Sequence, residues 1–178
     1  MRIFDIIEDQ RIVNFTGKLN ILKKTSGESV GTIIFFDGEI INTEFRSMSP
    51  LRGLIHLCIE SETEENIKFI VEPELIEINS KKITMPFSVI KKKINTSFNK
   101  FIEAKSLRPP NNLKILPKPD IMRSEEIVSP DEFSILCTLS DYNNVSDIYI
   151  HNELMEYEIT NALISLRKKN AIKLVQLK

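Results

Sequence analysis

Thr32-Ile33-Ile34-Phe35-Phe36-Asp37-Gly38-Glu39-Ile40-Ile41-Asn42 decides the fold. Asp-Gly between two β-branched and aromatic runs specifies a two-residue type I′ hairpin, because glycine accepts positive φ and aspartate tolerates it. The turn sets a register in which Phe36 opposes Glu39, Phe35 opposes Ile40, Ile34 opposes Ile41 and Ile33 opposes Asn42. Strand residues alternate between faces. Ile34, Phe36 and Ile41 therefore share one face, and Ile33, Phe35 and Ile40 share the other. Both faces are apolar near the turn, so the second needs a helix, a second copy of the chain or another partner over it.

Upstream, Phe15, Gly17, Leu19 and Ile21 alternate with Thr16, Lys18 and Asn20, which is strand spacing. The polar stretch Lys23–Ser29, with Gly27, reads as the turn that follows. Before it, Phe4, Ile7 and Ile12 sit at near-helical spacing within 3–13. Downstream, Ser49 as N-cap and Pro50 at the first position open a helix striped by Leu51, Leu54, Ile55, Cys58 and Ile59. His56 falls off that stripe and is expected to be partly solvated. An acidic turn over 61–66 leads to a strand at Ile67–Val71, closed by Pro73.

Three charge blocks underlie a formal net charge of −1 over 178 residues. Residues 1–80 hold 8 basic and 14 acidic side chains, residues 81–123 hold 11 and 2, and residues 124–178 hold 5 and 9. The basic block contains a helix with Ile83, Phe87, Ile90, Ile94, Phe98, Phe101 and Ile102 on one side. Lys92, Lys93 and Lys100 lie on the other. Such a helix suits a cover for the sheet, an anionic membrane surface or a nucleic acid backbone. The bare sheet face favours the first.

Pro109, Pro110, Pro117 and Pro119 predict an extended linker over 106–124, whose Leu113, Ile115 and Leu116 suit contact with a domain surface. Beyond it, Ser129-Pro130-Asp131-Glu132 is a capping box with proline at N1. Phe133, Leu136, Cys137 and Ser140 mark one face of that helix. A second helix is expected from Ser146 as N-cap, and a third from Glu156 with Ile159, Ala162, Leu163 and Leu166 inward. Arg167, Lys168 and Lys169 close the third helix before a left-handed Asn170. A strand follows over 171–176.

Two family resemblances follow from these residues. Phe15–Ile21 (Phe-Thr-Gly-Lys-Leu-Asn-Ile), Phe35–Asn42, the Gly53-containing helix and the strand at Ile67–Ile70 resemble, in order and spacing, the bacterial PATAN domain over about residues 3–105. That resemblance implies a noncatalytic, partner-binding role beside two-component or polarity signalling proteins. The helix–helix–helix–strand pattern ending in Ile-Thr-Asn-Ala-Leu-Ile-Ser-Leu-Arg-Lys-Lys-Asn-Ala-Ile-Lys-Leu-Val is similar to the winged-helix superfamily.

The expected fold class is thus α+β: a small antiparallel meander with flanking helices over 1–105, the linker, and a small winged-helix-like module over 125–178. A duplex would meet Glu156, Tyr157 and Glu158 at the start of the third helix, so nucleic acid is not the expected partner. No phosphate loop, nucleophile elbow or carboxylate pair points to catalysis, and no cofactor or metal is expected. Two histidines are too few for a multi-histidine site, and Cys58 and Cys137 are expected as buried free thiols in a reducing cytoplasm. No membrane span is expected, and the N-terminus turns acidic at Asp5 before any signal-peptide core could form. The sequence points to a cytoplasmic adaptor acting on a protein partner, with a DNA-binding regulator as the alternative. Its candidate interaction surface is Phe35, Ile40, Lys92, Lys93, Lys100, Arg167, Lys168 and Lys169, and a homodimer would arise if the sheet stayed uncovered.

Overall fold

The computed structural model describes residues 2–77, 79, 81–119 and 128–176. The fold is α+β. In chain order it runs α1 (Arg2–Ile12), β1 (Gly17–Lys23), β2 (Ser29–Phe36), β3 (Glu39–Glu44), α2 (Pro50–Thr63), β4 (Ile67–Pro73), α3 (Phe87–Lys105), β5 (Leu113–Pro117), α4 (Pro130–Asp141), α5 (Val145–His151), α6 (Glu156–Lys168) and β6 (Ile172–Gln176). Two compact units, Met1–Phe98 and Asn99–Lys178, divide the chain within α3.

The first unit is built on an antiparallel sheet of order β3-β2-β1-β4. Asp37 and Gly38 adopt φ of 48° and 75°, as the turn requires. The turn is pinned from below: the Gly38 amide donates to the Phe15 carbonyl at 2.9 Å, and the Asp37 amide to Thr16 Oγ1 at 2.9 Å. Phe36 opposes Glu39 and Phe35 opposes Ile40, as expected. Beyond them a β-bulge shifts the ladder, so that Ile34 opposes Asn42 and Ile33 opposes Thr43. The bulged Ile41 turns its carbonyl to the amides of Lys82 and Ile83, at 2.8 and 2.9 Å. A long-range pairing thus replaces the ladder bond that the turn alone would dictate.

One face of this sheet carries Leu19, Ile21, Ile33, Phe35 and Ile40 into a core closed by α1, α2 and the start of α3. Fully burying each such side chain contributes about 1.5–3 kcal/mol. From α1 come Ile3, Phe4 and Ile7, while Ile12 is 79% exposed and takes no part. Ile83, Phe87, Ile90 and Ile94 cover the core as the sequence predicts. Further along α3 the stripe loosens: Phe98 and Phe101 are half-buried and Ile102 is exposed. The second sheet face carries Ile34 and Phe36 beside the turn and Leu22 and Ile70 farther out. Farther out, Thr32 Oγ1 donates to Asn20 Oδ1 at 2.8 Å, and Asn20 Nδ2 donates to Glu72 Oε2 at 2.6 Å. The first of these bonds is partly buried and the second is exposed.

In the second unit α4, α5 and α6 surround a core with the two-stranded antiparallel sheet β5-β6. The predicted linker is therefore partly a strand. Ile115 is fully buried, and its amide donates to the Asn143 carbonyl at 2.7 Å. Pro117 sits at the strand's end, where its missing N–H interrupts nothing further along. Residues 120–124 of that predicted linker lie outside the described residues.

Ser129 caps α4 as expected: its Oγ accepts from the Glu132 amide at 3.2 Å, and Glu132 Oε2 accepts from the Ser129 amide at 2.7 Å. The expected burial of Cys137 is a correction, because the face of α4 that it shares with Phe133 is not the buried one. Glu132, Ile135 and Leu139 point inward, while Phe133 is 63% exposed and Cys137 is also exposed. Lys169 donates to Glu132 Oε2 at 2.8 Å, and this ion pair, with Glu132 buried and Lys169 half-buried, joins the Glu132 edge of α4 to the end of α6. Helix α5 begins at Val145, with Asn144 rather than Ser146 as N-cap. In α6, Ile159, Ala162, Leu163 and Leu166 are buried, and Asn170 ends it at φ 58°.

Candidate functional site

The last turn of α6 carries Arg167, and the left-handed Asn170 bends the chain sharply into β6. Strand alternation then turns Ile172 toward the second core and leaves Lys173 outside. Because β5 pairs with β6, Lys118, just past β5, arrives beside the same corner: its amide donates to the Ala171 carbonyl at 2.8 Å. Lys118 Nζ also donates to Asn170 Oδ1. The result is an open depression of about 540 Å³ lined by Lys118, Arg167, Asn170, Ile172, Lys173 and Leu174. Among the described residues, none of its three cations has a carboxylate within ion-pair distance.

The expected interaction residues separate into several groups. Phe35 and Ile40 are buried in the first core and are not a surface at all. Helices α1, α2 and the start of α3 close that core over them, so they form no exposed dimer face. Lys92, Lys93 and Lys100 are exposed, while their neighbour Lys91 pairs with Glu8 on α1. Arg167 lines the depression and Lys168 is exposed outside it. Lys169 is withdrawn into its pairing with Glu132. Burial opposes the Glu132 charge, but Lys169, the Ser165 hydroxyl and the Ser129 amide outweigh it and hold the carboxyl down at about 2.

Sequence reasoning missed two features here. Lys118 and Lys173 share no motif, and only the pairing of β5 with β6 brings them together. The outer face of α4 is the second, where Phe133 and Cys137 stand one turn apart beside half-buried Leu136. Ile150 on α5 is 71% exposed. At the other end of α6, Arg108 pairs with Glu156 at 2.9 Å and lies 4.2 Å from the Tyr149 ring centre. Tyr142 stacks on His151 with ring centres 4.0 Å apart.

His56 is a correction as well: it is 6% exposed, inside the first unit, with its ring centre 6.0 Å from that of Phe45. Burial first, then Arg52 and Arg46, push its pKa down to about 4. Cys58 is fully buried and burial pushes its thiol pKa up, which leaves it unreactive. Among the described residues no group of three or more His, Cys, Asp or Glu could hold a metal ion, and no helix is long and apolar enough to cross a membrane. Comparison with family models, curated proteins and solved structures finds no match.

Proposed function

We propose that this chain is a noncatalytic adaptor of the bacterial cytoplasm that acts through protein contacts, with the outer face of α4 as its docking surface. The observation that carries this reading is Phe133, a large aromatic side chain left 63% exposed on a well-capped helix. Aromatic side chains of this kind anchor protein interfaces because they bury much area at little entropic cost. Asp131 and Asp141, both exposed at the ends of α4, flank it. The partner this surface fits is an apolar groove with a basic rim. The resemblance of 3–105 to the PATAN domain points the same way, toward two-component or polarity signalling proteins as the partner class.

The DNA-binding alternative has weaker support. The first turn of α6 presents Glu156 and Glu158, following exposed Glu153. A groove-reading helix would bring that end to the phosphates, where carboxylates repel.

The test compares full-length wild type with Phe133→Asp and with the double variant Lys92→Gln/Lys93→Gln as immobilised baits. The expected outcome is a protein retained by wild type and by the lysine variant but lost from Phe133→Asp, and rebinding of that protein once purified. Equal retention by Phe133→Asp, with its circular dichroism unchanged, would remove the α4 face from the reading. Retention of nucleic acid in place of protein would favour the alternative.

A further inference from the structure

We propose that the depression between α6, β6 and Lys118 binds a compact, multiply charged phosphate compound of the pyrophosphate class. Cations in the last turn of a helix have an ordinary explanation, since they complement the helix dipole. That accounts for Arg167 and Lys168. It does not account for Lys118 and Lys173, which two other segments bring to the same corner. Like charges gathered in one depression repel each other, and none of the three has a carboxylate partner among the described residues. A bound anion would offset that repulsion.

The chemistry of the lining suits phosphate. Arg167 supplies a planar fork that matches two phosphate oxygens at once, and the lysines act as point charges. Asn170 accepts from Lys118 through Oδ1, which leaves its Nδ2 as a further donor. The negative end of α6 also faces this region, with a partial charge of about −0.5. Three full positive charges outweigh it. In addition, the last-turn carbonyls of Ser165, Leu166 and Arg167 are already occupied by the amides of Lys169, Ala171 and Asn170, at 2.9, 2.8 and 3.0 Å.

Size and surroundings set the class of compound. A volume of about 540 Å³ exceeds what a single phosphate fills and lies within the range of small-ligand clefts. A duplex needs cations spread along its backbone, whereas the far end of α6 is acidic at Glu153, Glu156 and Glu158. The proposal does not rest on the α4 docking surface. Loss of Phe133 should leave phosphate binding intact.

The experiment titrates inorganic pyrophosphate into the full-length chain by calorimetry at about 50 mM and 200 mM salt, in parallel with a labelled DNA duplex. Saturable binding with a submillimolar Kd that weakens with salt is expected. It should fall by about tenfold or more in Arg167→Gln/Lys173→Gln, which removes two of three charged contacts, and stay unchanged in Lys92→Gln/Lys93→Gln. If the double variant loses its native circular dichroism, Lys173→Gln alone, at an exposed strand position, carries the same comparison. Absence of saturable binding up to about 10 mM, well beyond the weakest affinity of use here, would overturn the proposal. So would equal binding by the variants, or a duplex that binds more tightly than pyrophosphate through the same residues.

Discussion

Acidifying the protein from pH 7 to pH 5 should weaken the first unit and spare the second. His56 is buried beside Phe45, its Nε2 has no hydrogen-bond partner among the described residues, and its pKa falls from 6.5 to about 4. The unfolded chain therefore takes up a proton near pH 6.5, while the folded chain resists until about pH 4. Between those values the unfolded state binds more protons, so stability is complete above pH 6.5 and is lost as pH falls toward 4. The shift is worth about 2 kcal/mol at pH 5 before screening. Solvent screening of Arg46 and Arg52 reduces that to about 1 kcal/mol. Glu132 sets a different window in the second unit. Its carboxyl lies near 2 against an ordinary 4.5, so the stability it contributes is present above 4.5 and is lost only as pH falls toward 2.

The two units can be followed separately. All three tyrosines, Tyr142, Tyr149 and Tyr157, lie in the second unit, and the chain has no tryptophan. Urea unfolding at pH 7 and pH 5, read by tyrosine fluorescence, reports the second unit, while far-UV circular dichroism reports both. The circular dichroism transition should move to lower urea at pH 5 and the fluorescence transition should hold. In His56→Phe, which fills a similar volume without a titrating group, the pH-dependent movement should shrink by about 1 kcal/mol. An NMR titration of the two histidine rings gives the pKa directly. A His56 value near 6.5, or an equal pH response in His56→Phe, would refute the reasoning.

Two further perturbations test the architecture. Gly38→Ala should cost more than Gly27→Ala, although both residues have positive φ. A Cβ at Gly38 would stand 2.9 Å from the Arg11 carbonyl oxygen, whereas one at Gly27 meets nothing within 4 Å. Left-handed strain costs each about 1 kcal/mol, the collision adds on the order of 1–2 kcal/mol at Gly38, and equal melting temperatures would contradict the packing of the turn on α1. On α3, Ile94→Ala should destabilise the first unit by about 2–5 kcal/mol, because Ile94 is fully buried. Lys92→Gln/Lys93→Gln should change stability by less than about 1 kcal/mol, because both lysines are exposed, and the reverse order in chemical denaturation would show that α3 does not cover the sheet.

The hairpin, the helix caps and the period of α6 were legible because each is written in neighbouring residues. Asp37-Gly38 needs no partner to specify its φ values, and Ser129 and Glu132 satisfy each other across one turn. Other features depend on residues distant in sequence. Ile41 bulges because the amides of Lys82 and Ile83 reach its carbonyl. On α4, Glu132 faces inward and pairs with distant Lys169, while Phe133 and Cys137 stand outside. The linker hid β5 because strand pairing with β6 is invisible in a proline-rich composition. Of the candidate surface, Arg167 lines the depression, but its companions Lys118 and Lys173 are 55 residues apart in sequence. No local pattern could have joined them.

The charge arrangement of α6 follows from the helix itself. Carboxylates favour its first turn, where Glu158 accepts from the Met155 amide at 2.9 Å, and cations favour its last, where Arg167 and Lys168 stand. Those same preferences place acid where a groove-reading helix needs base. Making the first turn of α6 basic would remove the bond to Met155 and the pairing of Glu156 with Arg108, at a cost to the helix of about 1 kcal/mol for the cap alone. Helix stability and duplex binding therefore compete for the same positions, and in this chain stability holds them. The cations that remain are confined to one end, where β5 and β6 add two more. A corner of that kind holds a compact anion better than a rod of charge.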